Sequence, residues 1–152
     1  MSFTESSHRD AKNRIKKVMC FGTFDLFHPW HVYYISEAEK LGDDLFIVIA
    51  RDARVCQIKG RPPHDSEDLR QSNVAYAFRD ATVILGDESD IFAPLREHHP
   101  DILAFGYDQQ VPEREIQKHF PTLQICRIAG YDTERWKSSL LRARKEQESS
   151  QN

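Results

Sequence analysis

The chain has 152 residues, 30% of them charged and 39% hydrophobic, and a formal net charge of -3. That length suits one compact domain and leaves no room for a second catalytic one. The mildly acidic balance lacks the basic excess of a protein that wraps nucleic acid, and no apolar run nears the ~20 residues needed to cross a bilayer, so nucleic-acid and membrane partners are not expected.

Residues 1–17 mix Ser, His, Asp, Arg and Lys without an apolar stretch, which is not a secretory signal and predicts a cytoplasmic location. The polar segments 1–13 and 146–152 are expected to fray, leaving a single domain over 14–145. Hydrophobic periodicity then predicts a strand over 17–21, a helix over 29–41 and a strand over 44–50. A polar, proline-containing loop over 57–65 leads to Ser66, which is suited to cap a helix reaching 78. A strand over 81–85, a helix over 90–98 and a strand over 101–105 follow. After a turn at 106–110, Pro112 opens a helix to 119, a fifth strand spans 123–127, and a last helix runs over 136–147. Strands alternating with helices imply a Rossmann-like α/β fold, a three-layer α/β/α sandwich around a five-stranded parallel sheet. In such sheets ligands bind beyond the carboxyl ends of the strands. Cys20, Cys56 and Cys126 are odd in number and widely spaced, as expected of reduced thiols.

The segment after the first strand is the richest in chemistry. Gly22 allows a close backbone turn that exposes the amides of Thr23 and Phe24 to an anion, and the next helix points its positive end at the same place. Pro29 fits a first helical turn, and His28 and His31, three residues apart, can present two imidazoles to one ligand. Imidazoles beside amide donors suit nucleotidyl transfer, which needs neutralisation of charge on phosphate oxygens rather than a covalent nucleophile. Two surface histidines in an ordinary strand-helix turn are the plain alternative. A protein-bound metal would want a third ligand that the local sequence does not offer.

Gly22-Thr23-Phe24-Asp25-Leu26-Phe27-His28-Pro29-Trp30-His31 resembles the G-T-F-D-x-x-H-x-G-H signature of the cytidylyltransferase-like nucleotidyltransferase superfamily, with Trp30 standing where that signature has glycine. Lys59-Gly60-Arg61-Pro62 matches the loop in which a family lysine approaches the phosphates, and Glu67-Asp68-Leu69-Arg70 resembles the segment whose arginine supports the site. Gly106-Tyr107-Asp108-Gln109 and Trp136-Lys137-Ser138-Ser139 look more like archaeal-type FAD synthases than like cytidylyltransferases. The resemblance implies transfer of AMP from ATP to FMN, with His28, His31 and Lys59 catalytic and Mg²⁺ or another divalent cation accompanying ATP. It further implies nucleotide contacts from Thr23, Phe24, His28, Pro29, Trp30, His31, Arg70, Asp108, Trp136, Ser138 and Ser139, and a homodimer. Two alternatives stay open: cytidylyl transfer to a polyol phosphate such as glycerol 3-phosphate, and nucleotide binding with impaired turnover if the Trp30 indole fills the space meant for base or ribose.

Overall fold

In β1 (Lys17–Gly22), Val18 and Cys20 face one hydrophobic cluster while Met19 and Phe21 face another. This is the period-two pattern of a strand covered on both sides. The same division recurs in β2 (Asp44–Ile49), β3 (Thr82–Leu85), β4 (Ile102–Gly106) and β5 (Gln124–Ile128). All neighbours pair in parallel, in the order β3-β2-β1-β4-β5. The Rossmann-like α/β/α sandwich expected from the alternation is the fold observed. The structure, a computed structural model, describes residues 14–130. The helix expected over 136–147, with Trp136, Ser138 and Ser139, lies outside the described residues, as do the terminal segments 1–13 and 146–152.

The helices are α1 (Pro29–Glu39), α2 (Asp52–Lys59), α3 (Glu67–Ala77), α4 (Ala93–His98) and α5 (Glu113–His119). Tyr34, Ile35 and Ala38 of α1 and Val74 of α3 cover one face of the sheet, and Leu95 of α4 and Ile116 of α5 cover the other. No helix among the described residues is long and apolar enough to cross a membrane.

Two expectations need correction. The polar loop that was to hold Lys59 is in part α2, where Lys59 is the last helical residue and Gly60, left-handed at φ 76°, closes the helix by donating to Cys56 O at 2.8 Å. Only Val55 of α2 is buried, so the helix carries no apolar stripe to announce it. The helix expected from residue 90 starts at Ala93, because Asp87 accepts from the amides of Ser89 and Asp90, and Asp90 accepts from the amide of Phe92. Side-chain turns of this kind compete with helix.

β1 sits between β2 and β4, so successive connections leave it in opposite directions and a crevice opens at their carboxyl ends. Pairing between β1 and β4 covers only Val18–Cys20 against Ile102–Ala104, after which the strands fork. The Tyr34 hydroxyl lies in that fork, 2.9 Å from Ala104 O and 3.2 Å from Phe21 O, and Gln109 closes it by donating to Phe21 O at 3.0 Å and accepting from Gly106 N at 2.7 Å.

Candidate active site

His28 is the residue before α1, and its extended backbone lets the ring fold back on the helix start. His28 Nδ1 accepts from Trp30 N at 3.2 Å, while His28 N donates to His31 Nδ1 at 3.0 Å. The two histidines thus form a reciprocal cap in which imidazoles do the work usually given to Ser and Glu. A ring nitrogen that accepts carries no proton, so in the neutral form each ring bears its hydrogen on Nε2 and offers it as a donor. The ring centroids are 6.4 Å apart.

His31 is packed among rings: Phe27 stacks on it at 5.8 Å, Phe24 meets its edge at 5.6 Å and Trp30 lies 6.0 Å away. Burial first, then the neighbouring His28 charge, pushes its pKa down to about 4, against a weaker opposing pull from Asp25. His31 is therefore a neutral hydrogen-bond donor at physiological pH.

Beneath the histidines the turn is built differently from its sequence-based reading. Gly22 is the last residue of β1, and a Cβ there would lie 2.6 Å from Phe24 Cζ. Glycine is required because the buried Phe24 ring occupies the place of a side chain. Phe24 and Leu26 take the left-handed conformation, with φ of 55° and 50°, a strain that the surrounding contacts must hold. Asp25 supplies part of that hold by accepting from the amides of His64 and Asp65, both at 2.8 Å. Burial raises its pKa, but these amides, that of Leu26 and the Arg70 charge outweigh burial and leave it below the ordinary carboxylate value.

Arg70, expected among the nucleotide contacts, has its guanidinium turned to protein partners instead. It is wholly buried and donates to Asp65 O at 3.0 Å, Thr23 O at 2.8 Å and Asp52 Oδ1 at 2.6 Å. It acts on the turn through the backbone of Thr23 and through its charge on Asp25, as a positioning residue. Asp52 and Glu67 complete this frame, each accepting the first amide of the other's helix, at 3.2 Å and 2.9 Å. The electrostatics favour both helix starts.

The remaining expected residues fall in different places. Trp30, half-buried, packs against His31 and Tyr34 and meets the edge of Tyr107 at 6.4 Å, so its ring reaches from α1 to the turn after β4. Pro29 is exposed at the first helical position. Asp108 is exposed beside Gly106, where a Cβ would come within 3.4 Å of its Oδ1. Lys59 is exposed, and no described contact joins it to the histidines. Sequence reasoning did not assign roles to Gln109, Tyr34 or Arg127, whose Nη1 holds the turn after β4 through Gly106 O at 3.1 Å and Gln109 O at 2.6 Å.

On the opposite face of the sheet from Trp30, a cavity of about 270 Å³ opens at Phe21, Gly22 and Thr23. Its walls are largely apolar, with Val48, Ile58, Phe92, Leu95, Val111 and Ile116 prominent, while Arg51, Arg54 and Asp87 supply charge. The described residues contain no group of three His, Cys, Asp or Glu side chains able to hold a metal ion.

Residues 19–144 match the cytidylyltransferase-like family. The chain belongs to that family. This family member is 42% identical over 119 residues to the FAD synthase of Methanosarcina mazei, spanning 75% of this chain and 77% of the relative. To the FAD synthase of Picrophilus torridus it is 38% identical over 132 residues, spanning 84% and 94%. Among solved structures, the lipopolysaccharide core biosynthesis protein of Thermoplasma volcanium superposes with a TM-score of 0.72 at 36% identity, covering 78% of this chain and 99% of that one. Pantoate-beta-alanine ligase of Francisella tularensis, at 13% identity and a TM-score of 0.52 over 79% of this cytidylyltransferase-like chain and 62% of the ligase, shares the fold alone.

Proposed function

We propose that this protein is an FMN adenylyltransferase, which acts through a single domain over 14–145, joins the AMP of ATP to the phosphate of FMN and releases pyrophosphate. The observation that carries the choice of acceptor is the apolar cavity beyond Gly22 and Thr23. A flat, largely apolar ring system gains by leaving water for such a wall, whereas a polyol phosphate would leave its hydroxyls unpaired there. FAD synthase relatives at 42% and 38% identity support the same acceptor.

In this reading ATP lies on the α1 side of the sheet's carboxyl edge and FMN on the cavity side, and the two meet above Thr23. An FMN phosphate oxygen attacks the α-phosphorus in line and the bond to pyrophosphate breaks. His28 and His31 donate from Nε2 to the α-phosphate oxygens, where charge gathers in the transition state. The Thr23 and Phe24 amides belong to the same cradle, Pro29 presets the helix entry, and Asp108 takes a ribose or base hydrogen bond. Lys59, Ser138 and Ser139 steady the pyrophosphate and Trp136 lies against the nucleotide, a proposal that rests on the sequence pattern. Mg²⁺ or another divalent cation would accompany ATP and supply charge neutralisation at its phosphates. A cytoplasmic homodimer completes the proposal.

Pyrophosphate release measured with ATP plus FMN against CTP plus glycerol 3-phosphate is expected to favour the first pair. Preference for the second would overturn the acceptor assignment.

Trp30 enters the same reading as a stacking wall. Its ring is held by His31, Tyr34 and Tyr107, and an indole so fixed is suited to stack on a base. Replacing Trp30 by Gly is expected to weaken ATP binding about tenfold, the lower range of one lost base-aromatic stack. Tighter binding of ATP by that variant in calorimetry would instead mean that the indole obstructs.

A further inference from the structure

The cavity wall holds three charged groups, and two are already committed. Arg51 donates to Glu67 at 2.7 Å and pairs with Glu88 at 3.3 Å, and the Asp87 carboxylate accepts from the amides of Ser89 and Asp90. Arg54 differs. It is half-buried, it lines the cavity, and it makes no hydrogen bond or ion pair among the described residues. Arg54 and Ile58 are four residues apart on α2 and both line the cavity, so one helix face presents a guanidinium and an apolar side chain to the same space. A ligand matching that face carries an apolar body and an anionic end.

We propose that Arg54 is the specificity residue for the phosphate of the acceptor, the group that distinguishes a phosphorylated flavin from the same ring system without phosphate. The proposal rests on the flavin reading of the cavity. Arg54 takes the phosphate as a charge-assisted, two-pronged partner while the apolar wall takes the rings. Asp87 bears the same sign as the phosphate and is held ionised by the amides it accepts, and Arg51 is already balanced by Glu67 and Glu88, so among the described residues Arg54 is the cation of this wall left to meet an anionic acceptor. Leaving one phosphate oxygen outside the Arg54 grip lets it attack, so the contact holds the nucleophile without consuming it.

Flavin fluorescence titrations of the full chain with FMN and with riboflavin test the assignment. Wild type is expected to bind FMN more tightly than riboflavin, and R54A to bind FMN about tenfold or more weakly with riboflavin unchanged, the effect of one lost charge-assisted contact. R54K, which keeps charge but not the planar fork, should fall between. In steady state R54A should raise KM for FMN and leave KM for ATP unmoved. Wild-type affinity for FMN, but not for riboflavin, should fall as salt rises, a readout that needs no variant. Equal FMN affinity in wild type and R54A would overturn the role of Arg54 while leaving the flavin reading standing, and so would wild-type binding of FMN no tighter than of riboflavin. Wild type binding neither flavin would overturn the reading of the cavity and the Arg54 proposal with it.

Discussion

Replacing His31 with alanine is expected to lower kcat for pyrophosphate release by a factor of roughly 10² to 10³, equivalent to about 2.7–4 kcal/mol, as for loss of one preorganised donor in a dry site. His31 is half-buried among Phe24, Phe27 and Trp30, and its Nδ1 is held by the His28 amide at 3.0 Å, so Nε2 is aimed rather than free to turn. The pH dependence follows from the same packing. With its pKa pushed down to about 4, His31 stays neutral where an exposed histidine would charge, so its contribution to kcat should be level through pH 6.5 and fail only toward pH 4. Protonation there puts a hydrogen on Nδ1 and expels the His28 amide. The sign for stability is also fixed: the folded pKa lies below the unfolded value of 6.5, so the unfolded chain takes up the proton first. Stability present above pH 6.5 is lost progressively down to about pH 4, which denaturant melts at several pH values will show. A kcat unaffected by His31→Ala would remove the proposed mechanism.

The second large effect is expected at Arg70, where Arg70→Leu should destabilise the fold by about 3–5 kcal/mol and lower Tm by roughly 10 °C. The size of the loss comes less from the ion pair than from what the guanidinium does for the backbone. Asp52 is 37% exposed and can turn to water, whereas Arg70 is 0% exposed and its removal strands the carbonyls of Thr23 and Asp65 beside a void. Arg70→Lys should rescue little, since one ammonium cannot reach three acceptors in the plane of the guanidinium. Thr23 lies at the rim where the two substrates are proposed to meet, so ATP affinity should fall together with Tm. Unchanged Tm in Arg70→Leu, measured by thermal melt, would show that the buried frame does not hold the turn.

Much of the fold was legible because its signals were local. Strands two residues in period and helices at spaced intervals separate cleanly when each strand is covered on both faces, and Ser66 and Pro112 mark helix starts by their own chemistry. α2 was not legible, since a polar helix with only Val55 buried has no periodic stripe. The candidate site divides the same way. His28, Pro29 and His31 could be placed because three-residue spacing at a helix entry needs no tertiary knowledge. The sequence explains Gly22 by a close backbone turn, yet its cause is the Phe24 ring, and an aromatic residue at φ 55° has no sequence signal. Arg70 was assigned to ligand because its partners, Thr23 and Asp52, lie 47 and 18 residues away and only the folded chain brings them together. Gln109 was missed as a clasp for the same reason, its acceptor Phe21 being 88 residues distant.

That clasp, with the Tyr34 hydroxyl below it, seals the notch between the two central strands. Whatever enters on one side therefore cannot thread through the sheet to the other. In the proposed reaction the two substrates therefore meet over the lip above Thr23, each with its reacting end leading, much as two hands can shake only over the top of a wall.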